Sequence, residues 1–407
     1  MSFKDIIGQQ DAKEHLVGMV QQNRLSHALL FLGKEGNGAL PLAIAFAQYI
    51  VCEKVSRKNT LANSSASLFG EEPEQDASNP NTGTTLMDAC GVCASCQKAQ
   101  QLVHPDIHFS YPVIPRKSGD KPVSTDYIQE WRQFLSETPY GNAYDWLQFI
   151  GAENKQGNIT AYECNEIIRK LNLKSFESGF KILVLWMPEY LGNEGNKLLK
   201  LIEEPPADTL FILVAENESQ ILATILSRTQ LVKIPALATE AITEALITNA
   251  KCTPEQARSV ASIAAGNYRE ALQLIRHAEE DWQSLLRDWL NSILKNGPVA
   301  QVKWIDEVSK LGREKQKQFL LYFNHLLEQA IRLQAMGTEA VHLPDNERDF
   351  ALRLNKIAGF EQQEAIIEEL DKAAYYIERN ANAKMLFLAL TIKLYHIIAH
   401  KQVARLM

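Results

Sequence analysis

The chain has 407 residues, which predicts two to four domains at about 150 residues per domain and a core of ordinary size. Hydrophobic residues make up 46% and charged residues 22% of the chain, and 42 Lys and Arg against 49 Asp and Glu give a net charge of −7. This composition excludes a small disulfide-stapled scaffold and gives no basic excess for nucleic acid, so contact with DNA would be local or shared with partners.

The N-terminal segment lacks the features of a targeting sequence. Residues 1–16 are polar and amphipathic, without the apolar core of a signal peptide, and no window reaches the roughly 18 to 20 apolar residues of a membrane helix. Six cysteines, three of them close together, favour a metal site in a reducing compartment over a disulfide network. We therefore expect a soluble, cytoplasmic protein without membrane contact.

The first elements in chain order are a helix, a strand, a glycine-rich turn and a second helix. Apolar positions recur at helical spacing in residues 9–24, and the run ALLFL at 28–32 predicts a buried strand. The turn GKEGNG at 33–38 then leads into ALPLAIAFAQYIVC, which has the length and apolar face of a helix. Strand, glycine-rich turn and helix follow each other in this way in phosphate-binding loops.

Two irregular segments follow. Residues 56–85 are rich in Ser, Asn, Thr, Gly, Glu and Pro, which predicts a flexible insertion at about 53–89. Residues 111–156 mix Pro, Gly and aromatic residues and predict an irregular excursion with a short helix or two. The aromatic and basic residues near 111–132 lack the regular interleaving of a single-strand stacking platform, and we assign the excursion no chemical role.

The remaining elements predict the fold class. A helix at 159–174 begins at Thr160 with Glu163 three residues on, a capping-box pattern. Continuous apolar strands at 181–186 and 209–217 flank a helix at 195–205, which indicates a parallel sheet covered on both faces. After Pro235 the patterns are helical, so we predict an α/β domain followed by an all-α region.

The glycine-rich turn meets only part of the nucleotide-binding pattern GxxxxGK[ST]. Gly33 and Gly38 have the required spacing, but Ala39 and Leu40 stand where the phosphate-binding lysine and the hydroxyl that holds Mg²⁺ belong. Without the lysine and the hydroxyl, we interpret the turn as a degenerate phosphate-binding loop and expect no functional cofactor-binding residue in it. A chance glycine turn in a fold that does not bind nucleotide is the alternative.

A second strand of such a fold ends in the acidic pair that holds Mg²⁺ and polarises water. The strand at 181–186 instead runs into Trp186 and Met187, and Glu189 follows only after Pro188. Because the cation, the metal ligand and the acidic pair all stabilise the charge of the transition state, we predict no ATP hydrolysis by this chain alone.

A cysteine cluster predicts a metal site. Cys90, Cys93 and Cys96 place three thiolates in one knuckle, and tetrahedral Zn²⁺ requires a fourth ligand. Cys52, at the end of the helix that follows the loop, is the best candidate, and His104 is the alternative. Four protein ligands leave no open position, so we expect a structural zinc ion.

Several short motifs occur along the first 275 residues in an order that resembles the bacterial clamp-loader family, and within it the delta-prime subunits of DNA polymerase III. The C-terminal third is similar only through residues 378–394. The motifs are Gly8-Gln9-Gln10, His27-Ala28, GKEGNGAL (33–40), the cysteine cluster with His104-Pro105-Asp106, LLKLIEEPP (198–206), TILSRT (224–229) and GNYREAL (266–272).

The resemblance implies an architecture and partners. It implies an AAA+ nucleotide-binding-like domain at 1–236 with a zinc module at 52–96, a helical lid at 237–278 and a helical collar at 279–407 through which five subunits form a ring. The implied partners are the tau/gamma motor and delta subunits, with the sliding clamp and primer-template DNA reached through the assembly. The family's delta-prime subunits have lost ATPase competence.

Three further motifs are interpreted through the same resemblance. Ser227-Arg228-Thr229 resembles the family's Ser-Arg-Cys motif, which implies that Arg228 reaches the ATP γ-phosphate of a neighbouring motor subunit, whereas a surface ion pair is the alternative. Arg269 occupies the position of a nucleotide-sensing lid arginine, and we expect a structural contact there instead. Glu203 and Glu204 precede two prolines and are interpreted as a helix end, not as an acid–base pair.

Two other functions remain as alternatives. An active tau/gamma-type motor ATPase is disfavoured by Ala39, Leu40, Trp186 and Met187. A zinc-dependent nucleic-acid-binding regulator is disfavoured by the acidic net charge.

Overall fold

The computed structural model describes residues 1–56, 88–117, 119–152, 157–276, 281–337, 345–378 and 381–399. Most of the predicted insertion at about 53–89 lies outside the described residues. The chain divides into two compact units, Met1–Ala271 and Leu272–Met407. The domain boundaries expected at 236 and 278 stay predictions.

A five-stranded sheet forms the centre of the first unit. Its strands are β1 (Ala28–Leu32), β2 (Ile107–Ser110), β3 (Lys181–Trp186), β4 (Thr209–Ala215) and β5 (Gln230–Lys233). Their order is β2-β3-β4-β1-β5, and every neighbouring pair is parallel. Every residue of β3 and β4 is buried, as expected of central strands covered on both faces, so the predicted parallel sheet is confirmed.

Helices cover both faces of this sheet. On one face Ile182, Val184 and Trp186 pack towards the helix that follows the glycine-rich turn, and on the other Leu183 and Leu185 pack with the helix at 161–171. The helices of the first unit are α1 (Gln10–Gln21), α2 (Ala39–Val51), α3 (Ala94–Gln100), α4 (Ile128–Glu137), α5 (Ala143–Phe149), α6 (Ala161–Leu171), α7 (Leu199–Glu203), α8 (Ala223–Leu226), α9 (Thr239–Ala250) and α10 (Pro254–Ile263).

Two local predictions are corrected. The helix predicted at 195–205 is a 3-10 segment, Pro188–Leu198, followed by the short α7, with Gly192 at φ 50° interrupting the helical backbone. Thr160 caps α6 as predicted, since its Oγ1 accepts from Glu163 N at 3.3 Å. The Glu163 carboxylate does not complete a capping box, because it accepts hydrogen bonds from the backbone N and the Oγ of Ser124, at 2.7 and 2.8 Å.

Aromatic residues from the described part of the segment 111–156 form a core at the end of β3. Tyr111 stacks on Trp131 with ring centroids 4.0 Å apart, and Trp131 lies 5.2 Å from both Trp146 and Trp186. All four rings are buried. The aromatic side chains of this segment therefore pack against Trp186, which stands where the acidic pair of a working site would be expected.

The second unit is helical throughout its described residues, as predicted. Trp289 and Trp304 stack at 4.6 Å in its core, beside Phe319 and Phe387. In the part of the chain that the structure describes, no helix is long and apolar enough to cross a membrane. The remaining helices are α11 (Tyr268–Arg276), which crosses the boundary between the units, α12 (Trp282–Asn291), α13 (Gly297–Val308), α14 (Arg313–Met336), α15 (Asp345–Ile357), α16 (Phe360–Glu378) and α17 (Ala383–Ala399).

Candidate functional site

The glycine-rich turn has the position of a phosphate-binding loop. It follows β1, and Gly38 at φ 89° caps the N-terminus of α2. A Cβ atom at Gly38 would lie 2.9 Å from Cε1 of Tyr140, so a side chain would clash there as well as strain the backbone. The hydroxyl of Tyr140 in turn accepts from the backbone N–H of Ile7 at 2.9 Å.

The first turn of α2 is satisfied by the chain itself. The backbone N–H of Ala39 donates to Oδ1 of Asn37 at 3.0 Å, and Nδ2 of Asn37 donates to the Ile234 carbonyl at 2.7 Å. Ala39 and Leu40 are 7% and 4% exposed and belong to the core. The backbone N–H of Ala39, which would face phosphate in a working loop, therefore already donates to Asn37.

A carboxylate belongs to the loop's own hydrogen-bond network. Glu35 accepts from Nδ2 of Asn142 at 2.6 Å and from Nδ2 of Asn267 at 3.0 Å. Among the described residues that line the cavity beside the loop, Glu35 and Glu216 supply two carboxylates against one cation, Lys34. The charged side chains of this lining therefore carry a net negative charge, which does not favour a triphosphate.

Arg269 lies in the same network. Its Nε and Nη2 donate to the two carboxylate oxygens of Asp145 at 2.5 and 2.7 Å, and its side chain is 3% exposed. The structural contact expected for Arg269 is thus present. We name Glu35, Asn142, Asp145, Asn267 and Arg269 the loop network.

The other members of the loop network were not predicted from the sequence. Asn142 caps α5, because its Oδ1 accepts from the backbone N–H of Asp145 at 2.9 Å, and Oδ2 of Asp145 accepts from the backbone N–H of Asn142 at 3.2 Å. Asn followed three residues later by Asp is a helix-start signal that could have been found. The partners Glu35 and Arg269 lie more than 100 residues away from this cap in the chain, and no local pattern connects them.

Glu189 does not replace the missing acidic pair. Trp186 and Met187 are buried, and Oε1 of Glu189 accepts from the backbone N–H groups of Glu216 and Asn217 at 2.7 and 2.8 Å. Burial raises the pKa of the Glu189 carboxyl above its usual range, against the effect of these hydrogen bonds. Glu189 therefore accepts the hydrogen bonds of the two backbone N–H groups that directly follow β4.

Arg228 follows the short helix α8 and is partly exposed. Its Nε donates to Oε1 of Glu203 at 2.5 Å, and its Nη1 donates to the Thr224 carbonyl at 2.7 Å and to Oγ of Ser227 at 3.1 Å. The surface ion pair considered as the alternative is present in the isolated chain. Action on a partner's nucleotide stays a prediction.

The four cysteines lie together. The Sγ atoms of Cys52, Cys90, Cys93 and Cys96 are all within 4.8 Å of one another, and those of Cys90 and Cys96 are 3.9 Å apart. A tetrahedron with Zn–S bonds of about 2.3 Å requires S–S separations of about 3.8 Å. The cluster could therefore hold a metal ion such as zinc.

Hydrogen bonds in the cluster favour a thiolate. Cys52 accepts from the backbone N–H of Cys90 at 3.4 Å, and Cys93 accepts from that of Cys96 at 3.4 Å. A hydrogen bond from the Cys96 thiol lowers the pKa of Cys52 to about 4, and the same bond raises the pKa of Cys96. Metal binding requires deprotonated thiols. The two backbone N–H donors therefore assist it, whereas the bond between the thiols assists it at Cys52 and opposes it at Cys96.

His104 is not part of this cluster. Its Nδ1 accepts from the backbone N–H of Asp106 at 3.2 Å, and its Nε2 lies 3.3 Å from Oε1 of Glu177. Burial lowers the pKa of His104, although Glu177 opposes this. Cys52, and not His104, joins the three clustered cysteines.

Comparison with known proteins identifies the family. A family model described as DNA polymerase III, delta subunit, matches residues 8–76 and 77–238, which is more than half of the chain. The chain belongs to this family, the DNA polymerase III delta-prime subunit family.

Two relatives and one solved structure are similar to this family member. DNA polymerase III subunit delta' of Bacillus subtilis is 26% identical over 65% of this chain, and the matched region spans only 58% of that relative. DNA polymerase III subunit delta' of Escherichia coli is 24% identical over 78% of this chain and 74% of its own length.

The solved structure is a DNA polymerase III gamma subunit-related protein of Thermotoga maritima. It is 13% identical, covers 95% of this chain and 99% of its own, and has a TM-score of 0.33. The fold class is defined by the strand order of the parallel sheet itself.

Proposed function

We propose that this chain is a catalytically inactive AAA+ subunit of the DNA polymerase III clamp loader. The observation that carries the proposal is the degenerate loop, because Ala39 and Leu40 are buried in the core and Asn37 occupies a donor at the start of α2. Such a chain contributes to ATP hydrolysis only through residues that it offers to a neighbour.

Arg228 is the residue that we assign this role. Its planar guanidinium would approach the γ-phosphate bound to a neighbouring motor subunit and neutralise charge that develops in the transition state. The Ser-Arg-Thr motif supports the assignment, and so does the partial exposure of the side chain, 33%.

We further propose that the cysteine cluster holds a structural zinc ion. Cys52 lies at the C-terminal end of α2, and Cys96 lies in α3. A metal ion held by four thiolates supplies a cross-link between these two helices and leaves no open position for a substrate. Because α2 begins directly after Gly38 and is buried along its whole length, the cross-link also supports the loop.

The partners that we propose are tau/gamma motor subunits and a delta subunit in a five-membered ring. The ring acts on the sliding clamp and primer-template DNA. In the helical second unit, Met385, Leu388 and Ile392 lie three and four residues apart on α17 and are 66%, 38% and 48% exposed. Apolar side chains at this spacing share one face of a helix, which supports a role of this unit in subunit contacts.

The test is ATP turnover with and without this chain. We expect no turnover by the purified chain, and we expect motor subunits to hydrolyse ATP in response to clamp and DNA only when it is added. Turnover by the chain alone would instead favour a motor ATPase. Salt-sensitive, sequence-specific binding of duplex DNA by the chain alone would favour a nucleic-acid-binding regulator.

A further inference from the structure

Arg228 is engaged by its own chain on almost every side. A guanidinium has five N–H groups. Nε and one N–H of Nη2 face the same oxygen of Glu203, and Nη1 donates to the Thr224 carbonyl and to Oγ of Ser227. Within the described part of the chain, one N–H of the guanidinium is left over. A two-point grip on a phosphate requires two parallel N–H groups, so the observed arrangement does not permit it.

We propose that Glu203 is a positioning residue that competes with the neighbouring subunit's triphosphate for Arg228. The arginine reaches the phosphate only when it leaves this carboxylate, so Glu203 sets how readily the arginine acts. This inference rests on the proposed action of Arg228 on a partner's nucleotide.

The pair is weak enough to be exchanged. The side chains of Arg228 and Glu203 are 33% and 44% exposed. Solvent-exposed ion pairs contribute little to stability, because water and salt screen them. A triphosphate with its higher charge can therefore displace the carboxylate from the guanidinium.

Arg228, and not Glu203, is the partner that moves. Glu203 is the last residue of α7, directly after Leu201 and Ile202, which are 8% and 1% exposed. The backbone N–H of Glu204 donates to the Lys200 carbonyl at 3.0 Å, and Pro205 follows. The backbone of Glu203 is thus anchored at this helix end, and the longer arginine side chain can rotate away from it.

Glu204 provides a matched control. It is the next residue, it is exposed, and its loss removes the same charge from the same surface. A general electrostatic effect on the neighbour's nucleotide would change both variants alike, whereas competition for Arg228 concerns Glu203 alone.

The experiment measures ATP turnover in a complete assembly with motor and delta subunits, with and without clamp and primed DNA. For Glu203→Gln we expect the DNA-free turnover to rise about 1.5- to 5-fold and the KM for ATP to fall, with the DNA-stimulated maximum unchanged. Glu204→Gln should match the wild type. Adding Arg228→Ala to Glu203→Gln should remove the gain.

The outcomes separate this inference from the proposed function. If Arg228→Ala leaves the stimulated maximum unchanged, the proposed function itself is wrong. If Arg228→Ala lowers the maximum but Glu203→Gln leaves DNA-free turnover unchanged or lower, competition by Glu203 is wrong and the proposed function stands. An equal rise in the Glu204→Gln assembly would also overturn the competition.

Discussion

Arg269 and Arg228 place the same side chain in two different environments. Both pair with a carboxylate, but Arg269 and Asp145 are 3% and 14% exposed, whereas Arg228 and Glu203 are 33% and 44% exposed. Breaking a buried pair leaves an uncompensated charge in the core, while an exposed pair can exchange partners at little cost. Burial thus makes Arg269 part of the fold and leaves Arg228 available to another molecule.

The regions around the two arginines differ in the same way. Around the degenerate loop, donors and acceptors of the chain satisfy each other, as Glu35 does with Asn142 and Asn267. By contrast, the hydrogen bonds of Arg228 with Glu203 and Thr224 lie at the protein surface. The proposed function, action on a neighbour's nucleotide without nucleotide chemistry of its own, requires this distribution.

The largest expected effect is the loss of the proposed zinc ion, which would support the loop region through α2. Cys96→Ser should lower the zinc content to near zero and the Tm by more than about 10 °C, because structural zinc supplies folding free energy directly. Zinc analysis and thermal unfolding of the full chain measure both. Cys252→Ser, at a partly buried cysteine outside the cluster, is the control and should keep the zinc. A Cys96→Ser chain with full zinc content would contradict the site.

The buried arginine pair gives the next largest effect. Asp145→Asn removes the carboxylate that binds Arg269 at two points and leaves only the more distant Glu270 carboxylate, 3.7 Å from Nη1. We expect a loss of about 3 kcal/mol in the free energy of unfolding. Urea denaturation measures it. The control is Glu166→Gln, which removes the partner of the exposed Arg169 and should cause no measurable change. Equal effects of the two variants would remove the distinction between buried and exposed pairs.

The pH dependence of stability gives a smaller effect at Glu189. Because burial raises its folded pKa above the unfolded value of 4.5, its favourable contribution is complete below pH 4.5 and is lost as the pH rises through the folded pKa. The wild type should therefore lose stability relative to Glu189→Gln between pH 4 and 7, by at most about 1 kcal/mol. Parallel stability curves for the two chains would show that the carboxyl is not perturbed.

The smallest expected effect is that of nucleotide on the isolated chain. A ligand that binds the folded state raises the Tm in proportion to ln(1 + [L]/Kd). Since the loop's donor is taken and its cavity is lined by Glu35 and Glu216, millimolar MgATP should leave the Tm unchanged. A reproducible upward shift would mean that the loop still binds nucleotide.

Local patterns predicted the sheet and the loop, whereas the long-range contacts were not predictable. The apolar runs that became β3 and β4 and the spacing of Gly33 and Gly38 are each contained within a few residues. The pairing of Glu35 with Asn142, 107 residues apart, depends on the tertiary fold. The aromatic core around Trp131 was missed for the same reason, since its rings come from four separate segments.

The four-cysteine cluster illustrates where sequence reasoning ends. The spacing of Cys90, Cys93 and Cys96 indicated three ligands, but the choice between Cys52 and His104 required the folded chain. The short spacing within the cluster cannot identify Cys52 as a ligand, because Cys52 lies 38 residues before Cys90 in the chain.

The most direct test of the account is ATP turnover by a complete assembly that contains Arg228→Ala. With Arg169→Ala as a control at another exposed arginine, and with assembly confirmed by size, we predict a clear fall in clamp- and DNA-stimulated turnover for Arg228→Ala alone. The turnover that remains comes from motor sites that this chain does not border. Turnover equal to that of the wild-type assembly would contradict the claim that this chain acts on its neighbour's nucleotide.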